Sequence, residues 1–378
     1  MFLNLNLREL KPSETPDKSR LAGYHLTLSA YLGLASKLNE MNQMNSPIQI
    51  DPEDPDEATL ILAVQLLKAD KLVAFPTETV YGLGANALSV SAVERIFLAK
   101  GRPSNNPLIL HVHDVKSARS LVAEWTSEAQ LLAEAFWPGP LTLVLKKAAH
   151  IPNIVTGGGA TVALRIPANP IALKLLEMLQ SPIAAPSANK SLGVSPTSAQ
   201  HVQASLGSKV DLILDGGSTT GGIESTVLNL TVQPPRLLRP GLITADKIEA
   251  VIGKIDRLIL SQSEAGNLFE SSALLSPGTS LRHYSPNTPL RWGDAAFAIN
   301  LATTGARVAY IHHSPAISES SLFFCTMPDE PKGYAAKLYS ALHALDDGRF
   351  TQIVVEQLGE GELWDAIRDR LNRAAYSG

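Results

Sequence analysis

Cysteine is nearly absent from this chain of 378 residues: Cys325 stands alone. That excludes an internal disulfide and any cysteine-rich zinc site, and it fits a reducing, cytoplasmic setting. No run of 18 apolar residues occurs, so no membrane span is expected. Positive charge is not in excess. Lys and Arg number 32 against 36 Asp and Glu, a net charge of -4, which argues against a surface coated for nucleic acid but leaves room for a local basic groove. No Gly-x-Gly-x-x-Gly turn or Walker-type loop appears in the C-terminal third. There is no Gly-x-Ser-x-Gly elbow of a serine hydrolase either.

What the chain does have is an alternation of helix and strand. Its length favours two domains. Residues 1–50 lack a sustained period and read as an extension without fixed structure, with Met41 and Met44 as alternative starts. From Asp56 onward, Leu60, Val64 and Leu67 mark a helical stripe, and 72–75 reads as a short buried strand. Ser91 and Glu94 suggest a capping box for a helix ending near Lys100. Strands are expected at 108–112, 141–145, 161–165 and 183–185, and near Leu212 and Thr226. Helices are expected at 127–136, 170–179 and 198–206. This is an α/β domain, 51–255, with a twisted mixed sheet covered by helices. A Ser-, Gly- and Asn-rich stretch within 256–288 reads as a linker, and 289–378 as a smaller α/β, Rossmann-like domain. Its strands are placed at 307–311, 322–325 and 352–356, and its helices at 333–346 and 362–375.

The chemistry concentrates at strand ends, where such sheets bind ligands. The strand at 72–75 opens into Pro76-Thr77-Glu78-Thr79-Val80-Tyr81-Gly82-Leu83-Gly84, and one helix later comes Lys100-Gly101-Arg102-Pro103. Hydroxyls, glycine N–H groups and two fixed cations suit an anionic small molecule. Cations at a helix C-terminus are also favoured by the macrodipole alone. Asn105-Asn106-Pro107, followed by a strand carrying His111, tips the reading toward a site. The turn Ala185-Pro186-Ser187-Ala188-Asn189 reads equally as a capped turn or as a cradle for ribose or phosphate. Arg165, ending its strand, is suited to grip a carboxylate bidentately, although a cation there is more often solvated or paired. Gly157-Gly158-Gly159 and Asp215-Gly216-Gly217 are weak candidates for anion nests. No set of Cys, His and Asp stands at metal-ligand spacing. By spacing alone this is a phosphate- and carboxylate-binding α/β enzyme.

Eight blocks resemble, in order, the YrdC-like family of threonylcarbamoyl-AMP synthases: Phe75 to Gly84, Lys100 to Pro103, Asn106 to Leu108, Trp137 to Thr142, Val162 to Pro167, Ala185 to Asn189, Glu224 to Val227, and Arg239 to Gly241. Ser276 to Pro286 resembles the linker of the long, two-domain members, and Trp364 to Leu371 the end of their second domain. Thr279-Ser280-Leu281 departs from the family's usual linker, where a bulkier or basic residue is common. The resemblance implies that L-threonine, bicarbonate and ATP yield threonylcarbamoyl-adenylate and pyrophosphate, the product serving threonylcarbamoyladenosine formation in tRNA through a separate transferase. It places ATP at Arg102, Asn106, Thr161, Ser187, Asn189, Ser195, Arg239 and Tyr284, with Lys100 and Arg102 as catalytic cations. Threonine falls to Thr77, Thr79, His111, Arg165, Ala185 and Ser225. Mg2+ is expected with the phosphates, its ligands unidentified. Replacing Lys100 or Arg102 is expected to lower turnover roughly 10²-fold and to leave folding nearly unchanged. Two rivals differ in class. An RNA-binding module of the same type would bind tRNA salt-sensitively without nucleotide turnover. A carbamoyltransferase of the hydrogenase-maturation kind would carry zinc-finger cysteine pairs, which one cysteine excludes.

Overall fold

The computed structural model describes residues 46–257, 283–314, 319 and 321–375. Most of the expected N-terminal extension and most of the linker, including Ser276 to Arg282, lie outside the described residues.

Ten strands form one twisted mixed sheet: β1 (Ile48–Gln49), β2 (Val73–Phe75), β3 (Gly82–Asn86), β4 (Ile109–His111), β5 (Leu141–Lys146), β6 (Thr161–Arg165), β7 (Ile183–Ala184), β8 (Leu212–Asp215), β9 (Thr226–Asn229) and β10 (Arg236–Arg239). Their order is β1-β8-β2-β3-β7-β4-β6-β5-β9-β10. Half of them are buried along their whole length, as strands covered on both faces are. Strand β1 extends the sheet ahead of the expected boundary at 51, pairing parallel with β8 through Ile48 and Leu214.

Helices cover both faces. α1 (Glu57–Lys68) is capped by Asp56, whose carboxylate accepts from Thr59 N, and its Leu60, Leu66 and Leu67 pack with Leu175 and Leu179 of α5 (Pro170–Leu179) against Val73 and Phe75. On the other face, α2 (Val90–Lys100) and α4 (Ser127–Phe136) bring Val93, Ile96 and Leu132 against Leu83, Leu110 and Leu143. Short α3 (Val115–Ser120), α6 (Ala199–Leu206) and α7 (Ala245–Ile252) complete the layers. The cap of α2 is Ser89, not Ser91. Ser89 has the extended backbone a cap requires and accepts from Ala92 N, while Ser91 donates to Asp70 at 2.6 Å.

The second unit is a four-stranded parallel sheet, β11 (Leu290–Trp292), β12 (Val308–His312), β13 (Leu322–Thr326) and β14 (Gln352–Val355), ordered β11-β14-β12-β13. Its helices are α8 (Ala295–Thr303), α9 (Pro331–Leu345) and α10 (Glu362–Ala375). β11 and α8 add to the expected elements. One hydrophobic cluster joins the units: Val80, Val194 and Ile223 of the first pack with Leu338, Ile353, Ile367 and Leu371 of the second. Among the described residues no helix is long and apolar enough to cross a membrane.

Candidate active site

The turn after β2 is built by Thr77. Its hydroxyl donates to Val80 O at 2.6 Å and accepts from Thr79 N and Val80 N, locking the loop so that Thr79 faces inward. Thr79 Oγ1 accepts from Arg165 Nη1 at 3.0 Å. Arg165, at the end of β6, also donates through Nε to Gly139 O, and its Nη2 lies 2.7 Å from Glu78 Oε1. The carboxylate seat expected at Arg165 is therefore held by the protein's own Glu78, which the motif had not suggested. His111 stands beside Arg165 in the parallel register of β4 and β6. Burial, and then Arg165, push its imidazole down to about 3, so the ring is neutral, with Nδ1 buried and unpartnered.

Gly82 and Gly84 do not form a nest for an anion. Both lie in β3, paired with Phe75 and Val73 of β2, and a Cβ at Gly84 would stand 2.8 Å from the Phe75 ring and 2.9 Å from Ile183. Their smallness lets the sheet close over Phe75. Nor does the Asp215 loop form an anion nest. Asp215 takes hydrogen bonds from Gln49, Gln200 and Gly217 N, and so ties the sheet edge together.

Helix α2 ends at Gly101 in the left-handed conformation, which turns Lys100 and Arg102 under the sheet. Lys100 Nζ donates at 2.6 Å to both Ser187 O and Asn189 O. It thus clamps the Ser187–Asn189 turn through that turn's carbonyls. Arg102 donates through Nη2 to Asn106 Oδ1 (2.5 Å) and Pro107 O (3.0 Å), leaving a buried Nε without a partner. Asn106 orients Arg102 rather than facing the cavity. Arg239 is anchored to Ser225 through Nε to the backbone oxygen and Nη2 to the hydroxyl, which also pairs with Thr142.

These groups surround one pocket. Thr77, Thr79, His111, Arg165, Ala185 and Ser225 line it, as do Arg102, Ser187, Arg239 and Tyr284. Lys100, Asn106, Asn189 and Ser195 lie behind that wall. Asn189 spans its own turn, donating to Lys190 O and Gly193 O, and Ser195 donates to Glu224. Thr161 is apart from the cluster. It opens β6 opposite Lys146, four residues and about 13 Å from Arg165 at the strand's rise. The lining residues assigned no individual role from the sequence include Val80, Ile109, Glu224 and His283. His283 precedes Tyr284, whose rings lie 4.0 Å apart, and this adjacency was the available signal.

The pocket is electropositive. Burial, and then Arg102, hold Lys100 well below the usual ammonium range. Burial takes Arg102 down to about 10, and it lowers Arg239 as well. Three buried guanidinium groups face one cavity, and of these Arg165 is paired with Glu78.

A family model described as "Telomere recombination", covering Sua5, YciO and YrdC proteins, matches residues 65–241, and one described as "Threonylcarbamoyl-AMP synthase, C-terminal domain" matches 243–376. The threonylcarbamoyl-AMP synthase of Pyrococcus abyssi is 42% identical over 330 residues, covering 85% of this chain and 95% of the relative. The chain belongs to the threonylcarbamoyl-AMP synthase family. The synthase of Bacillus subtilis is 40% identical over 340 residues, covering 86% and 95%. Among solved structures, the crystal structure of P. abyssi Sua5 complexed with L-threonine matches with a TM-score of 0.79 and 40% identity, over 87% of this chain and 97% of that one. Both units of this synthase-family chain are covered, so the second domain belongs to the family architecture.

Proposed function

We propose that the protein condenses L-threonine, bicarbonate and ATP into L-threonylcarbamoyladenylate and pyrophosphate. The observation that carries this is a single pocket lined by Arg102, Arg165 and Arg239, all buried, in a chain matching a threonine-bound relative along nearly its whole length. The substrates are anions that must be brought together, and fixed buried cations lower that barrier without a covalent step. Threonine's carboxylate displaces Glu78 from Arg165, with Thr79, Thr77, His111, Ala185 and Ser225 shaping the rest of its seat. The neutral His111 can accept a hydrogen bond at Nδ1 without adding charge. Threonine's deprotonated amine adds to bicarbonate with loss of water, the carbamate oxygen then attacks the α-phosphate of ATP, and the bond to pyrophosphate breaks.

Arg102 and Arg239 meet the phosphates, and Tyr284 covers the nucleotide. Lys100, bonded to Ser187 O and Asn189 O behind the pocket wall, serves the phosphates by holding that turn in place. Asn106, Asn189 and Ser195 act through Arg102, the Ser187–Asn189 turn and Glu224. Mg2+ enters as part of the nucleotide. Among the described residues no group of three His, Cys, Asp or Glu could hold it, and the pocket's carboxylate Glu224 is already engaged. The adenylate passes to a separate transferase for tRNA modification, a cytoplasmic task.

The test is pyrophosphate release from ATP, with threonine and bicarbonate omitted in turn. Release that depends on both is the expected result. Salt-sensitive tRNA binding with no pyrophosphate release would replace this reading with an RNA-binding module.

A further inference from the structure

We propose that Arg370, on the last helix of the second unit, is a positioning residue for the nucleotide pocket of the first, acting by cancelling the charge of Glu224. The inference rests on the nucleotide-binding reading above. Arg370 is the largest fully buried side chain in the described protein, with side-chain exposure of 0%. A cation so placed needs a reason beyond surface adhesion.

Its Nε donates to Glu224 Oε2 at 2.9 Å, and Tyr339 of α9 donates to the same oxygen at 3.0 Å. The other carboxylate oxygen accepts from Ser195 at 2.6 Å. Glu224 thus receives two groups from the second unit and one from the first, and it lines the pocket beside Ser225 and Arg239. The Arg370 guanidinium also lies 5.4 Å from the centroid of the Tyr284 ring, another lining residue. Burial alone would raise the Glu224 carboxyl, but Arg370 and then Arg239 outweigh it and hold it at about 2. The carboxylate is therefore an anion wherever the enzyme works. Unbalanced in the wall of a phosphate site, it would repel the ligand. Arg370 makes the pair neutral, so that Arg102 and Arg239 meet the phosphates unopposed. The second unit supplies a charge that the first unit's pocket requires.

The full-length chain tests this through a ladder of charge, read as KM for ATP in pyrophosphate release and as direct binding of inorganic pyrophosphate. Arg370→Met leaves Glu224 without its cation in the pocket wall and is expected to raise KM for ATP more than tenfold. Glu224→Gln keeps the shape, leaves Arg370 with Asp369 (2.8 Å) as its remaining carboxylate, and is expected to lower KM two- to fivefold. The double variant is neutral again and is expected within threefold of the parent. An ion pair that only held the two units together would change thermal stability and leave KM flat across the series. KM unchanged in folded Arg370→Met overturns the proposal. Should that variant fail to fold, an unchanged or raised KM in Glu224→Gln overturns it. A parent protein that neither binds pyrophosphate nor releases it from ATP refutes the function itself, which distinguishes the two failures.

Discussion

Arg102→Met separates the energetics of folding from those of binding. In the ligand-free pocket Arg102 is a buried cation whose ionisation falls from 12.5 to about 10, chiefly through burial, a penalty of roughly 3 kcal/mol on the charged form. Against it stand the two bonds to Asn106 Oδ1 and Pro107 O, worth about 1.5–3 kcal/mol each for a charged donor. Methionine fills a similar volume, removes the burial penalty and forfeits both bonds. Stability should therefore fall by no more than about 3 kcal/mol. Turnover should fall about 10²- to 10³-fold, the scale for one preorganised donor at a developing charge. Urea denaturation without nucleotide reads the first quantity, and kcat/KM for ATP in pyrophosphate release reads the second. Lys100→Met is the contrast. It orphans two carbonyl oxygens in the Ser187–Asn189 turn, so it should cost roughly 2–5 kcal/mol as well as activity. This departs from the equal, fold-neutral effects that the motif suggested for the two residues. Arg102→Met with turnover within threefold of the parent, or with more than about 4 kcal/mol of stability lost, refutes the reasoning.

Acid should destabilise the protein through His111 and His283. Burial lowers both imidazoles to about 3 in the folded state from 6.5, so below 6.5 the unfolded chain binds more protons and stability falls as pH drops toward 3. Between pH 7.5 and 5.5 the loss is about 1.4 kcal/mol per imidazole, His201, lowered to about 4, adding to that of the pair, and His111→Gln should remove about 1.4 kcal/mol of the total. Equal urea midpoints at the two pH values would contradict this. Gly222→Ala should cost more than about 2 kcal/mol and speed limited proteolysis between the units. Its φ is +73°, and a Cβ would stand 2.1 Å from Ala335 O on α9. A variant as stable and as protease-resistant as the parent would show that the two units do not abut there.

The layered α/β organisation was legible wherever an element was long or buried throughout. α1, α4 and α5 declare themselves by period and cap, and β5 and β6 by unbroken apolar runs. β1 has two residues and β11 three, too few to show a period. Thr79, Arg165 and Arg102 could be found because strand ends and helix ends concentrate chemistry. The role of the glycines could not, because Gly84 answers to Phe75 and Ile183 across the sheet rather than to its sequence neighbours. Glu224 looked like an ordinary strand-edge residue, since its partners Tyr339 and Arg370 lie 115 and 146 residues further along. Thr161 was carried over from the family pattern alone, and the strand geometry sets it at the opposite end of β6 from Arg165.

The hydrophobic cluster shared by Val80, Val194 and Ile223 with Leu338, Ile367 and Leu371 bears on how such chains can be recombined. Two sheets with separate strand orders invite treatment as exchangeable cassettes. Here the seam is itself a core, and Val80 belongs both to it and to the pocket wall. A chimaera pairing this first unit with a distant relative's second unit would bring mismatched side-chain volumes to that seam and disturb the active site at the same place. Transplantable segments of this chain must therefore include matching halves of the seam, so drift in one half constrains drift in the other.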